Sequence, residues 1–113
     1  MHEMALAESI VGTLEEQSRQ QSYARLKTVW LEIGPFAGVE VEALRFSFDV
    51  VANGTLADGA RLEIESNPAH AWCLPCGKSV VIAERFDPCP GCGGHQLQVT
   101  SGDELRIKEL EVD

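Results

Sequence analysis

Apolar residues recur at helical spacing near the start of the chain. Met4, Ala7, Val11 and Leu14 follow at intervals of 3, 4 and 3, and Ile10 widens the stripe. That period predicts an amphipathic helix over residues 3–21, closed by the polar run 17–22. Glu3 and Glu8 lie early in it, where a helix N-terminus favours negative charge. Alternation then takes over. Val29, Leu31 and Ile33 fall on one face of a strand at 25–34, Leu26 and Trp30 fall on the other, and Gly34-Pro35 ends it. At 60–66, Ala60, Leu62 and Ile64 alternate with Arg61, Glu63 and Glu65, and Asn67-Pro68 breaks the pattern. A last strand is expected at 103–112. Leu105 and Ile107 share a face there, while Leu110 and Val112 have switched parity, so a bulge is expected near Lys108-Glu109.

One stretch carries both periods. Over 39–52, Val41, Leu44, Phe48 and Val51 make a helical stripe, and Leu44, Phe46, Phe48 and Val50 fit strand alternation equally well. The length and the early Glu40 and Glu42 favour a helix, and Asn53-Gly54 serves as a helix stop or as a hairpin turn.

The remaining segment holds the chain's only cysteines. Cys73-Leu-Pro-Cys76-Gly and Cys89-Pro-Gly-Cys92-Gly are two CxxC turns separated by twelve residues, room for a hairpin between them. Gly77, Gly91 and Gly93 are the residues expected to supply positive φ in such turns. Each turn brings two thiolates to one ion, and two facing turns make a closed tetrahedral sulfur site suited to zinc. Two disulfides are the competing reading, and spacing alone does not separate zinc from a rubredoxin-like iron site. A closed site of this kind is structural. The fold class expected is α+β: two helices on a small mixed sheet, with an inserted zinc-ribbon or rubredoxin-like module. The domains are residues 1–67 plus 101–113, and 68–100.

Composition narrows the functions. The chain has 113 residues, 44% of them hydrophobic, with a formal net charge of −9. No apolar run reaches the ~18 residues of a membrane span, and no basic-then-apolar leader marks secretion. Thiols kept for metal fit the cytoplasm. An acidic chain is a poor partner for phosphates, which argues against nucleic-acid binding. It leaves room for a cationic metal or a basic protein partner. No nucleophile elbow, zincin motif, phosphate loop or dinucleotide fingerprint is present, so no enzyme is expected.

His2 can do chemistry because of its position. The Met1 amine, the His2 amide nitrogen and the His2 imidazole can chelate one ion in fused rings, with the Glu3 amide as a further nitrogen. Deprotonated amides are strong-field donors that favour square-planar Ni(II) or Cu(II). From chemistry alone the plainer reading prevails, since many chains carry a histidine near the start that binds nothing. His70 and His95 flank the cysteine segment, as alternate ligands or as solvated loop histidines.

Taken together, Met1-His2-Glu3-Met4 opening a helix, Trp72-Cys73-Leu-Pro-Cys76, Cys89-Pro-Gly-Cys92 and the tail from Ser101-Gly102-Asp103 to Leu110-Glu111 resemble the HypA/HybF family over essentially the whole chain. The cysteine spacing is shared with many zinc ribbons; its combination with the Met-His-Glu start and the tail is what carries the resemblance. The resemblance implies a nickel metallochaperone of hydrogenase maturation, some members also serving urease. It implies nickel at His2 with backbone nitrogens of Met1, His2 and Glu3, Glu3 in support, and zinc at Cys73, Cys76, Cys89 and Cys92. The implied partners are a HypB-like GTPase and the large-subunit precursor of NiFe-hydrogenase, with no nucleic acid and no membrane. The chain itself is expected to be a monomer or weak homodimer. The rivals are a zinc-ribbon module for nucleic acid or protein, and a rubredoxin-like iron redox protein.

Overall fold

In a computed structural model describing residues 2–113, the first apolar stripe becomes helix α1, His2–Gln21. It starts one residue earlier than its stripe predicts, so His2 belongs to the first turn. Ala7, Ile10, Val11 and Leu14 are buried and Met4 is half-buried. β1 (Leu26–Ile33) follows. The ambiguous stretch is helix α2, Val41–Ala52. Burial decides which of its two periods counts: Leu44 and Phe48 are fully buried, whereas Phe46 and Val50, which only the strand pattern needed inside, face solvent. Asn53 caps the helix C-terminus, and Gly54 takes φ +80°.

β2 (Arg61–Ser66) and β6 (Leu105–Val112) flank β1 in the order β2-β1-β6, a mixed sheet. The Gly34 N–H donates to the Glu104 carbonyl at 2.8 Å and the Asp113 N–H to the Arg25 carbonyl at 3.2 Å, so β6 runs antiparallel to β1. As the central strand β1 is covered broadly. Even Thr28 is buried, its hydroxyl donating to Glu111 Oε1 at 2.8 Å, as a buried polar group requires. In β6 burial does change parity: Leu105, Ile107 and Leu110 are half-buried, with Lys108 and Glu109 exposed between them.

The second sheet is antiparallel, in the order β4-β3-β5, with β3 Ala69–Cys73, β4 Lys78–Ile82 and β5 Leu97–Ser101. One expectation is corrected by this sheet. The hairpin does not lie between the CxxC turns: Cys73 pairs with Lys78, so the first CxxC is itself the hairpin turn. The residues after the second turn form β5, in which Leu97 and Val99 alternate with Gln98 and Thr100. The chain folds as two compact units, one of residues 1–31, 39–64 and 107–113, the other of 32–38 and 65–106.

Candidate metal sites

Cys73 ends β3 and the Gly77 N–H donates back to its carbonyl at 2.8 Å, which tightens the first turn. The second turn closes the same way, with the Gly93 N–H on the Cys89 carbonyl and the Cys89 N–H on the Gly94 carbonyl, both at 2.8 Å. Gly77 and Gly93 have φ of +63° and +76°, the region where a Cβ is costly. Gly91 does not take positive φ; its N–H instead approaches Cys89 Sγ at 3.3 Å. The turns bring all four sulfurs within 4.8 Å of one another, and all four thiols are free. Cys73 and Cys92 Sγ are 3.7 Å apart, and Cys76 and Cys89 Sγ 3.9 Å. Zinc–sulfur bonds of about 2.3 Å directed to the corners of a tetrahedron put sulfurs roughly 3.8 Å apart. The donor set therefore fits one tetrahedral ion.

The thiols are not equivalent. N–H groups of Cys92 and Gly91 directed at its sulfur bring Cys89 down to about 6, against the opposing effect of burial. Cys76 is pushed up to about 12, because the Cys73 and Cys92 sulfurs beside it disfavour a further negative charge. For Cys73 the Cys76 N–H favours the thiolate, but burial and the neighbouring thiols outweigh it and the net direction is upward. Cys89 offers a thiolate near neutrality, while Cys73 and Cys76 must give up protons to an incoming ion, so acid opposes metal binding.

His2 is exposed in the first turn of α1, away from the buried stripe. The Met1 amine falls outside the described residues. Beside His2 the structure adds a residue to which the sequence pattern gives no site role. Glu40 is the N-cap of α2, its carboxylate accepting the Ala43 N–H at 2.7 Å. Its own N–H donates to Glu3 Oε2 at 3.2 Å. In a capping box that second bond comes from a carboxylate three residues further along the same helix; here that position is Ala43 and Glu3 of α1 supplies the carboxylate. The Glu40 N–H, followed by Glu3's own N–H and by His2, holds the Glu3 carboxyl below its ordinary value. Glu40 had a local signal, an acidic residue three before Ala43 at the head of a helical stripe, but nothing local pairs it with Glu3.

His70 and His95 are not gathered into the sulfur cluster. His70 Nδ1 sits 3.0 Å from Ser101 Oγ, a bond between β3 and β5, and His95 is exposed.

A family model described as hydrogenase/urease nickel incorporation, metallochaperone, hypA, matches residues 1–112. The chain belongs to the HypA family. Members of this family are nickel metallochaperones of hydrogenase maturation, not enzymes, and so is this HypA-family chain. Among its relatives, hydrogenase maturation factor HypA of Azotobacter chroococcum mcd 1 is 62% identical, and that of Azotobacter vinelandii 60%, each over the full length of both chains. The solution structure of the Ni metallochaperone HypA from Helicobacter pylori superposes with a TM-score of 0.70 at 20% identity, covering 97% of this chain and 96% of that one. A second HypA solution structure gives 0.72 at 22% identity, covering 99% and 96%. At such identities the likeness speaks for the fold. No described helix is long and apolar enough to cross a membrane.

Proposed function

We propose that this HypA-family chain binds Ni(II) at its N-terminus through the His2 imidazole and the backbone nitrogens of Met1, His2 and Glu3. It then passes the ion to the large-subunit precursor of NiFe-hydrogenase, and to urease where that enzyme is served. The observation that carries this reading is the placement of His2 in the first turn of α1, exposed and outside the buried stripe. The first four N–H groups of a helix have no intrahelical acceptor. The His2 and Glu3 amides can therefore lose their protons to a metal without breaking a helical hydrogen bond. Reprotonating them gives a release route. The Glu3 carboxylate, held beside Glu40, supports the site by charge and position.

The four cysteines hold a structural zinc in a zinc-ribbon type of module, two turns on a three-stranded antiparallel sheet. A HypB-like GTPase assists delivery. The protein works in the cytoplasm as a monomer or weak homodimer and binds no nucleic acid. The deciding experiment is a nickel titration followed by absorption spectroscopy. It compares untagged protein beginning at Met1 with a Gly-Ser extension before Met1, an extension after Asp113, and His2→Ala. The N-terminal extension and His2→Ala should remove the square-planar spectrum, and the C-terminal extension should keep it. Equal spectra and affinities in all four would place nickel elsewhere. Colourless protein carrying one zinc per chain is the matching expectation at the cysteines.

A further inference from the structure

Helix α2 buries one side and leaves a stripe uncovered on the other. Glu42, Phe46, Asp49, Val50 and Asn53 are all exposed, and at about 100° per residue they occupy one arc of the helix. Phe46 is 66% exposed and Val50 50%, one turn apart, so their side chains adjoin. Single exposed apolar residues are ordinary, but two adjoining ones rimmed by carboxylates have the make-up of an interface centre with a polar edge. Among the described residues the cation at its edge is Arg45, which is half-buried, hydrogen-bonded to the Leu62 carbonyl and paired with Glu42 at 3.8 Å.

We propose that this α2 stripe docks a protein partner presenting an apolar cleft rimmed by lysine or arginine, with Phe46 as the anchor. Charge selects among the occupants. A second copy meeting the stripe in a two-fold, antiparallel arrangement about Phe46 would set Glu42 of each copy against Asp49 of the other. Anionic lipid surfaces and nucleic-acid phosphates repel a chain of net charge −9. A basic-rimmed protein surface gains from both the apolar pair and the acids. Aromatic anchors in such positions carry a large share of binding energy.

The proposal goes beyond the delivery reading and rests on it only for the choice of probes, the purified HypB-like GTPase and the purified hydrogenase large-subunit precursor. Binding of the full-length protein to each is measured by calorimetry at two salt concentrations, for wild type, Phe46→Ser, Phe46→Leu and Asp49→Lys. For at least one probe, Phe46→Ser should weaken binding about tenfold or more, with Phe46→Leu intermediate. Asp49→Lys should weaken it and flatten its salt dependence. All three variants keep the nickel titration of wild type, which separates a fault in this surface from a fault in the metal reading. Wild-type binding that no variant changes overturns the proposal alone. Failure of wild type to bind either probe overturns both the proposal and the partners inferred above. A homodimer that Phe46→Ser dissociates overturns it in favour of self-association.

Discussion

The two units are held together by different means. In the helical unit the largest fully buried side chains are Leu14, Val29, Leu31, Leu44 and Phe48, with the small Ala7, Ser47 and Ala57 buried beside them. In the other, the core cluster is Ala69, Ala71, Cys73, Val80, Ile82 and Cys89. Burying a Leu or Phe side chain contributes ~1.5–3 kcal/mol, and an alanine methyl far less. Two of the six residues of that cluster are cysteines of the candidate metal site. Two of the second unit's four candidate donors, Cys73 and Cys89, are thus part of its core, and its Phe86 side chain is 90% exposed. In the helical unit the candidate donor His2 is exposed, outside the core. Site and fold therefore overlap in one unit and lie apart in the other, and substitutions can test that directly.

Cys76→Ser should have the largest effect. It removes a donor from a closed four-sulfur set whose metal supplies on the order of 10–16 kcal/mol in small zinc modules. The expected result is loss of the bound ion and of amide protection across 65–106, with α1 and α2 still protected. Hydrogen exchange read by mass spectrometry, beside metal analysis, checks it. A second unit that stays protected without its ion would show that its small apolar core suffices.

Phe48→Ala is the reciprocal test. Deleting a fully buried phenylalanine side chain costs about 3–5 kcal/mol, a large part of the stability of a domain this size. Denaturant unfolding should show that loss in the helical unit, while metal content at the cysteines stays at the wild-type value. Loss of the ion as well would mean that the two units fold as one cooperative system.

The same contrast explains what the sequence disclosed. Stripes of large aliphatic residues made α1, β1 and β2 legible, because burying them leaves few arrangements open. Phe46 and Phe48 show the limit. The strand period places both inside, the helical period only Phe48, and packing alone reveals which holds. The cysteine turns were legible as chemistry but not as topology. A CxxC marks a turn without saying which strands it joins, and the alternation of Leu97 and Val99 with Gln98 and Thr100 in β5 is only five residues long and does not say which strand it pairs with. The bond between Glu3 and the Glu40 N–H joins residues 37 apart, and no local pattern encodes it.

His2→Ala comes next in size. His2 is exposed and packs into no core, so the melting temperature should move by no more than an exposed substitution allows, within about 0.5 kcal/mol. Nickel binding with its square-planar spectrum should disappear, and the metal at the cysteines should remain. Nickel affinity unchanged in this variant would move the site away from the N-terminus, with His70 and His95 the next candidates to substitute.

Glu3→Gln should have the smallest effect, and it probes where the separation of site from fold is least complete. The Glu3 carboxylate stands beside His2, and it also accepts the Glu40 N–H at the head of α2. A glutamine keeps an oxygen for that bond but loses the charge. The Glu3 carboxyl is held below its ordinary value of 4.5, first by the Glu40 N–H. A carboxyl whose pKa folding lowers contributes stability that is present above its unfolded value and is lost as pH falls through the folded one. Wild type should thus melt slightly above Glu3→Gln, by a constant margin from neutrality down to about pH 5. The margin should narrow below pH 4.5, the ordinary value from which folding lowers this carboxyl. Nickel affinity should fall less than in His2→Ala, since a neighbouring carboxylate tunes a site that the imidazole and backbone nitrogens form. Melting curves at stepped pH, paired with a nickel titration near neutrality, read both effects in one variant. A melting difference with unchanged nickel affinity would assign Glu3 to the fold alone. Weaker nickel with superimposable melting curves at every pH would assign it to the site alone. A shift in both is expected, because one carboxylate serves the helix cap and the metal-facing terminus together.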